Sequence, residues 1–193
     1  MWREIRADRR QHGLRSGGFW ALAVYRFGRW SLERSSSKVR WATSKVYGAC
    51  KPVVQLFTGV DIDRGTQIGE GFHIVHPGAI SIHPNAVIGQ RVGIMHGVTI
   101  GTNMGDEVPT IGDDVFIGCN ASVLGGIKVG NGARIAANSL VITDVPAGAV
   151  AIGVPARVGP DLSALRREGS RAPVPAPAPV RAAAPPNGKA GHG

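Results

Sequence analysis

Four of the six histidines, His73, His76, His83 and His96, fall between positions 73 and 96, and Asp61 lies shortly before them. Three of the four share one stretch, GFHIVHPGAISIHP, from Gly71 to Pro84. Imidazole is the side chain whose charge changes near neutral pH, so it can act as a general base, a general acid or a metal ligand. A base needs a carboxylate to orient its ring, and a zinc site needs three ligands on one centre. His73 and His76 are three residues apart on what reads as a short strand, so their side chains leave it on opposite faces. They do not converge on one metal within a single chain. The spacing of His73, His76 and His96 does not match a three-histidine zinc centre, and no metal is expected.

The scaffold that positions these residues is a repeat. Ile111, Ile117, Val123, Val129, Ile135 and Val141 are spaced by six. The same interval links Ile62, Ile68, Ile74 and Ile80, slips by two, and resumes at Ile82, Ile88, Ile94 and Ile100. Glycine follows the aliphatic residue at Gly69, Gly89, Gly101, Gly112, Gly118 and Gly130. Neither a helix nor a simple alternating strand gives a period of six. It fits a solenoid of short strands on three faces, each burying one aliphatic side chain per turn. The frame breaks at TNMGDEVPT, Thr102 to Thr110, a polar segment ejected from the coil and a natural place for function. His76 and His96 each lie two residues after their aliphatic position and stack on successive coils. Asp61 falls near the same edge as His76, an arrangement suited to a carboxylate that orients an imidazole.

Three segments follow. Residues 1–57 read as an N-terminal helical region, with Trp20, Leu22, Val24, Phe27 and Trp30 on one face and a break at Ser35–Ser37. A second helix spans Lys38 to about Thr58, with Trp41, Val46, Val53, Val54 and Leu56 apolar. Residues 58–158 hold the repeat. Residues 159–193 are Pro/Ala-rich and are expected to be a disordered tail; His192 there receives no role. The net charge of +9 is uneven: residues 1–57 carry twelve Lys/Arg against three Asp/Glu, residues 58–158 five against eight, and residues 159–193 five against two. No recognition motif or aromatic platform accompanies the positive charge, so no nucleic-acid partner is expected. The basic, amphipathic N-terminal region leaves weak association with a membrane surface open. No run is apolar enough to span a bilayer, and the charged start leads into no signal segment. Cys50 and Cys119 read as reduced thiols, and a cytoplasmic location is expected.

The stretches DIDRGTQIGEGFHIVHPGAISI, GIMHGVTIG and PTIGDDVFIGCNASVLGGIKVGNGARIAANSLVITDVPAGAVAIGVPARV together resemble the serine O-acetyltransferases. The short members associated with surface polysaccharide share a His-Pro-Gly stretch matching His76 to Gly78. The resemblance implies a mainly β fold, a left-handed parallel β-helix of hexapeptide repeats, and use of acetyl-CoA as co-substrate. It implies that Asp61 and His76 are the catalytic pair. The histidine takes the proton from an acceptor hydroxyl that attacks the thioester directly. His96 is the candidate for a second active-site histidine. CoA is implied along a groove near Thr102, Cys119 and Ala137, with Gly153 and Arg157 toward the nucleotide. The family forms homotrimers with active sites between subunits.

Departures from the pattern bear on the acceptor. Glu107 and Val108 stand before Pro109 where the family carries an Arg-His pair, and Val75 replaces an Asp. An arginine that holds a carboxylate bidentately is not replaced by a glutamate without consequence. The resemblance implies serine as the acceptor; these departures weigh against it and make a sugar, polysaccharide or other small hydroxyl the alternative. Two readings stand outside acetyl transfer: a zinc enzyme of the γ-carbonic-anhydrase kind, and a non-catalytic scaffold. The family tail that docks into the next enzyme of cysteine synthesis ends in isoleucine, whereas this chain ends GKAGHG, so no such complex is expected.

Overall fold

The computed structural model describes residues 2–13 and 15–159. The tail expected to be disordered lies outside the described residues apart from Gly159. Three helices come first: α1 (Trp2–His12), α2 (Gly17–Leu32) and α3 (Ser37–Thr58). The hexad segment then winds through three parallel sheets. One contains β1 (Val60–Ile62), β4 (Ile80–Ile82), β7 (Thr99–Gly101), β10 (Ser122–Leu124) and β13 (Leu140–Val141). The second contains β2 (Gln67–Ile68), β5 (Val87–Ile88), β8 (Thr110–Ile111) and β11 (Lys128–Val129). The third contains β3 (His73–Ile74), β6 (Gly93–Ile94), β9 (Phe116–Ile117), β12 (Arg134–Ile135), β14 (Val150–Gly153) and β15 (Ala156–Gly159). Among the described residues only β15 runs antiparallel to its neighbour.

The period of six is a burial pattern. Ile62, Ile82, Ile100 and Val123 stack inside the first sheet. Ile68, Ile88, Ile111 and Val129 stack in the second, and Ile74, Ile94, Ile117 and Ile135 in the third. All are at most 8% exposed. Each contributes roughly 2 kcal/mol of apolar burial before chain entropy is subtracted. The glycine after the aliphatic residue has a steric cause. At Gly118 an added Cβ would stand 2.6 Å from the Ala137 nitrogen of the next coil.

The two-residue slip has a definite location. Ile80 pairs with Val60, and Ile82 with both Ile62 and Ile100. Both Ile80 and Ile82 therefore point inward, and the extra residues are absorbed before them, in the corner between β3 and β4. That corner contains His76, Pro77 and Gly78.

A first coil has no neighbour below it, so its strand edge would leave backbone groups unpaired. Helix α2 covers that edge with polar side chains. The Tyr25 hydroxyl donates to the Thr66 carbonyl at 2.7 Å. Arg26 donates to the carbonyls of Ile68 and Gly69, each at 2.8 Å, and Arg29 to those of Gly65 and Thr66. This corrects the expected inner face of α2. Its buried residues include Phe19, Leu22, Tyr25 and Arg26, whereas Trp20 is 53% exposed. The surface to be covered presents carbonyls as well as methyl groups, so the residues turned inward are those with donors at their tips.

Helix α3 packs on α2 and β1 through Tyr47, Lys51 and Val54, with Tyr47 buried. Its remaining apolar residues face away. Trp41, Val46, Val53, Leu56 and Phe57 are between 53% and 83% exposed. The helix ends at Gly59, which takes a left-handed conformation (φ 63°) and donates its N–H to the Gln55 carbonyl.

Candidate active site

Corner residues set the geometry of the site. Ala79, Gly97, Asn120 and Asn138 take positive φ values of 49°, 71°, 56° and 58°, turning the chain from the third sheet toward the first on four successive coils. The residues just before these turns stand on one edge. Ile74, Ile94, Ile117, Ile135 and Ala151 are in register. Two positions on, His96, Cys119, Ala137 and Gly153 therefore form one line along the prism, roughly 14 Å long at about 4.8 Å per coil. The widened first corner puts Gly78 in the matching place under His96: its carbonyl accepts from the Gly97 N–H as the His96 carbonyl accepts from the Asn120 N–H, and His76 stands in the bulge at the head of the line. His76 and His96 are both exposed, and their ring centroids are 6.3 Å apart. Further along, the residues are small: Cys119 is a free thiol, Ala137 is exposed, and Gly153 opens the β14–β15 hairpin. Arg157, on the return strand opposite Ile152, is exposed beside that end.

The remaining sequence candidates lie elsewhere. Asp61 projects from the outer face of β1, between buried Val60 and Ile62. Two residues earlier, Gly59 packs against the backbone of Gly78 and Ala79, so Asp61 begins close to the His76 corner. Its carboxylate pairs with Lys51 Nζ at 3.2 Å, and the same ammonium reaches Asp63 at 3.3 Å. Among the described residues no hydrogen bond joins Asp61 to His76. Thr102 falls on a different edge. It shares a cavity of about 380 Å³ with Asp61, Lys51, Asp63 and His83. Glu107 lies against Gly126 in an adjoining cavity of about 340 Å³, which shares Leu124 with the first. Val108 is half-buried just before buried Pro109. His83 is a turn residue: its Nδ1 accepts from the Asn85 N–H at 3.2 Å.

His73 stands at the start of β3, half-buried, with its ring 4.8 Å from that of His12. Burial holds its basicity below the ordinary imidazole value, reinforced by His12 and then by His76. Burial also raises the Lys51–Asp61 question to one of balance: desolvation disfavours the Lys51 charge, yet Asp61 and its neighbours outweigh it and hold the ammonium's pKa above its usual value. Sequence reasoning did not single out Lys51 or His12. Lys51 stands over Asp61 of β1 and over Asp63 just past its end, a placement set by where α3 crosses β1 and not by a local sequence pattern. Among the described residues no group of three His, Cys, Asp or Glu side chains is arranged to hold a metal ion.

Two exposed imidazoles side by side, at the head of a line of small side chains that runs roughly 10 Å from Cys119 to Gly153 (about two coil steps), can deprotonate a hydroxyl while a long thin co-substrate lies along the edge. Two family descriptions match the same coils. Bacterial transferase hexapeptide (six repeats) covers residues 109–143, and the hexapeptide repeat of succinyl-transferase covers residues 79–104. The coils therefore carry hexapeptide repeats of the kind found in bacterial transferases, and these repeats fit the left-handed form of the β-helix.

Among curated relatives, the serine acetyltransferase of Mycobacterium tuberculosis (strain ATCC 25618 / H37Rv) is 38% identical over 144 residues, covering 73% of this chain and 60% of that protein. A truncated serine acetyltransferase apoenzyme superposes with a TM-score of 0.67 at 30% identity, covering 81% of this chain and 67% of that one. A serine acetyltransferase in complex with CoA gives a TM-score of 0.67 at 30% identity, covering 81% and 66%. The chain belongs to the serine acetyltransferase family. It spans 60% of the length of the mycobacterial relative.

Proposed function

We propose that this protein is an acetyl-CoA-dependent O-acetyltransferase with serine as the acceptor. The observation that carries the proposal is the pair of exposed imidazoles, His76 and His96, with ring centroids 6.3 Å apart at the head of the edge formed by Cys119, Ala137 and Gly153. His76 acts as general base. It takes the proton of the acceptor hydroxyl as the oxygen attacks the thioester carbonyl, then returns it to the departing CoA sulfur. The C–S bond breaks, and the products are the acetyl ester and free CoA. Asp61 orients the His76 ring and balances its transient charge, exchanging its Lys51 partner as it does so. His96 borders the reacting centre on the next coil.

CoA lies along the edge, as the related CoA complex suggests. Cys119, Ala137 and Gly153 are small enough for it to approach the backbone. Arg157 supplies a cation for its phosphates, and Thr102 and the loop residues Glu107 and Val108 border the acceptor side. A glutamate there favours an amine or hydroxyl over a carboxylate, which keeps a sugar hydroxyl as the second acceptor reading. Release of free thiol from acetyl-CoA with serine, and with a panel of sugars, tests this. Turnover with serine supports the first reading, turnover with sugars alone the second, and none with any acceptor contradicts both. A reaction fed by acetyl-CoA supports a cytoplasmic location. No described helix is long and apolar enough to cross a membrane.

We also propose a homotrimer in which the active edge is shared between subunits. The outward residues of α3 support a protein–protein contact: Val39, Ala42, Val46, Ala49, Val53 and Leu56 alternate at intervals of three and four, one continuous stripe on a helix. The same helix contains no acidic residue, which favours an anionic membrane surface as the second reading. Light scattering of wild type and Val53→Glu/Leu56→Glu separates the two. A wild-type trimer that the variant dissociates supports the first. A monomer that co-sediments with anionic vesicles, and a variant that does not, supports the second.

A further inference from the structure

His12 ends α1, and both of its ring nitrogens are engaged. Nδ1 lies 2.9 Å from the Asp8 carbonyl one turn earlier, and Nε2 lies 2.9 Å from the backbone nitrogen of Ile74. A backbone N–H can only donate, so Nε2 must present its lone pair. The ring proton therefore sits on Nδ1 and is donated to Asp8. Ile74 is fully buried on the edge of the first coil, where no earlier coil offers a carbonyl. His12 supplies the acceptor that the missing coil would have provided.

The arrangement is built from several sides. The Asp8 carboxylate is itself buried and paired with Arg26 at 3.3 Å, which fixes the turn carrying His12. Gly18 of α2 leaves room for the ring: a Cβ there would stand 3.1 Å from His12 Cδ2 and from Ile74. The His73 ring meets that of His12 edge to face, at an interplanar angle of 76°. The titratable groups facing His12 are thus Asp8 on its own helix and His73 on β3, while α2 presents Gly18 and reaches Asp8 through Arg26.

We infer that His12 is a positioning residue for His76: its neutral ring anchors Ile74, two residues before His76 at the root of the enlarged corner, and a proton on Nε2 breaks that anchor. The inference rests on the reading of His76 as the general base. It makes acetyl transfer depend on two imidazoles on the acid side, one that must accept the acceptor proton and one that must keep its lone pair for Ile74. The depressed basicity of half-buried His73 is in keeping with a cluster that tolerates added charge poorly.

Two variants of the full chain test it. In His12→Gln the amide oxygen lies as many bonds from the backbone as Nε2, and it accepts a hydrogen bond without titrating. In His12→Phe the ring shape survives and the acceptor is lost. Amide exchange over Phe72–His76, corrected for intrinsic rate, is measured at about pH 8 and about pH 5.5, either side of the ordinary imidazole value, alongside the pH profile of kcat.

The expected result is that His12→Phe loses protection at both pH values and loses about tenfold in kcat, through misplacement of the base. His12→Gln keeps its protection at the lower pH, where wild type loses it, and its acid limb is shallower. Wild-type protection and kcat in His12→Phe would overturn the inference, as would an unchanged acid limb in His12→Gln. The exchange arm needs no turnover. Protection that behaves as expected in a wild-type protein that never consumes acetyl-CoA would instead overturn the acetyl-transfer reading, and the positioning role with it.

Discussion

At the residue scale, the four histidines between 73 and 96 separate into different roles. His83 closes a turn, His73 packs on His12, and His76 and His96 share an exposed edge. Replacing His76 by alanine is expected to lower kcat by roughly 10² to 10⁴-fold, the usual worth of a positioned base, while acetyl-CoA binding changes little. Steady-state kinetics with varied acetyl-CoA checks both parts. His73 predicts a stability effect of definite sign. Its pKa in the folded state lies below the ordinary imidazole value of about 6.5, so the unfolded chain takes up the proton first. Stability therefore falls as pH drops through about 6.5 and levels off once the folded pKa is passed. Urea unfolding at a series of pH values should show this slope, reduced in His73→Gln. The nearness of His76 to His96 was legible from the hexad count, but the register was not, since the two extra residues put Gly78 under His96 and leave His76 in the bulge. The Lys51 partner of Asp61 was not, because it depends on where α3 crosses β1, which no local pattern encodes.

At the element scale, the decisive feature is how the first coil is closed. Arg26 is 2% exposed and serves Asp8 and two carbonyls at once. Arg26→Met leaves a buried carboxylate and two buried carbonyls without partners and should cost about 3 kcal/mol or more, read by denaturant midpoint. Gly59 carries a second test. It ends α3 with positive φ, and a Cβ there would stand 2.9 Å from the Ala79 nitrogen. Gly59→Ala combines the left-handed penalty, about 1 to 2 kcal/mol, with a push on the corner that holds His76, so stability and kcat should fall together. A helical region with two helices was expected over residues 1–57, matching α2 and α3, but α1 as a separate helix and the inner face of α2 were not. Hydrophobic periodicity finds methyl groups that seek burial. It does not find Tyr25, Arg26 and Arg29, whose inward turn is dictated by carbonyls on another element more than thirty residues away in sequence.

At the scale of the whole molecule, the solenoid converts a one-dimensional repeat into a straight edge. Past the first coil, any residue two positions beyond the aliphatic of the third sheet joins that edge. The co-substrate groove can therefore be read from the count. The period of six, the Gly after six of the aliphatic residues and the polar insertion at 102–110 were all visible in the sequence. The exact seat of the two-residue slip needed the pairing of Ile80 with Val60, which places the extra residues under His76. The outward stripe of α3 was visible as apolar residues, but its exposure was not, since a helix that packs on its own chain and one that packs on another show the same spacing.

The most direct test of acetyl transfer at this edge is detection of the acetylated acceptor itself. Purified wild type, His76→Ala and His96→Ala are each incubated with acetyl-CoA and serine, or the best acceptor of the panel, and the acetyl ester is quantified by mass spectrometry. The account predicts ester formation by wild type, its near-complete loss in His76→Ala and a partial loss in His96→Ala. Ester formation by His76→Ala at the wild-type rate would contradict it.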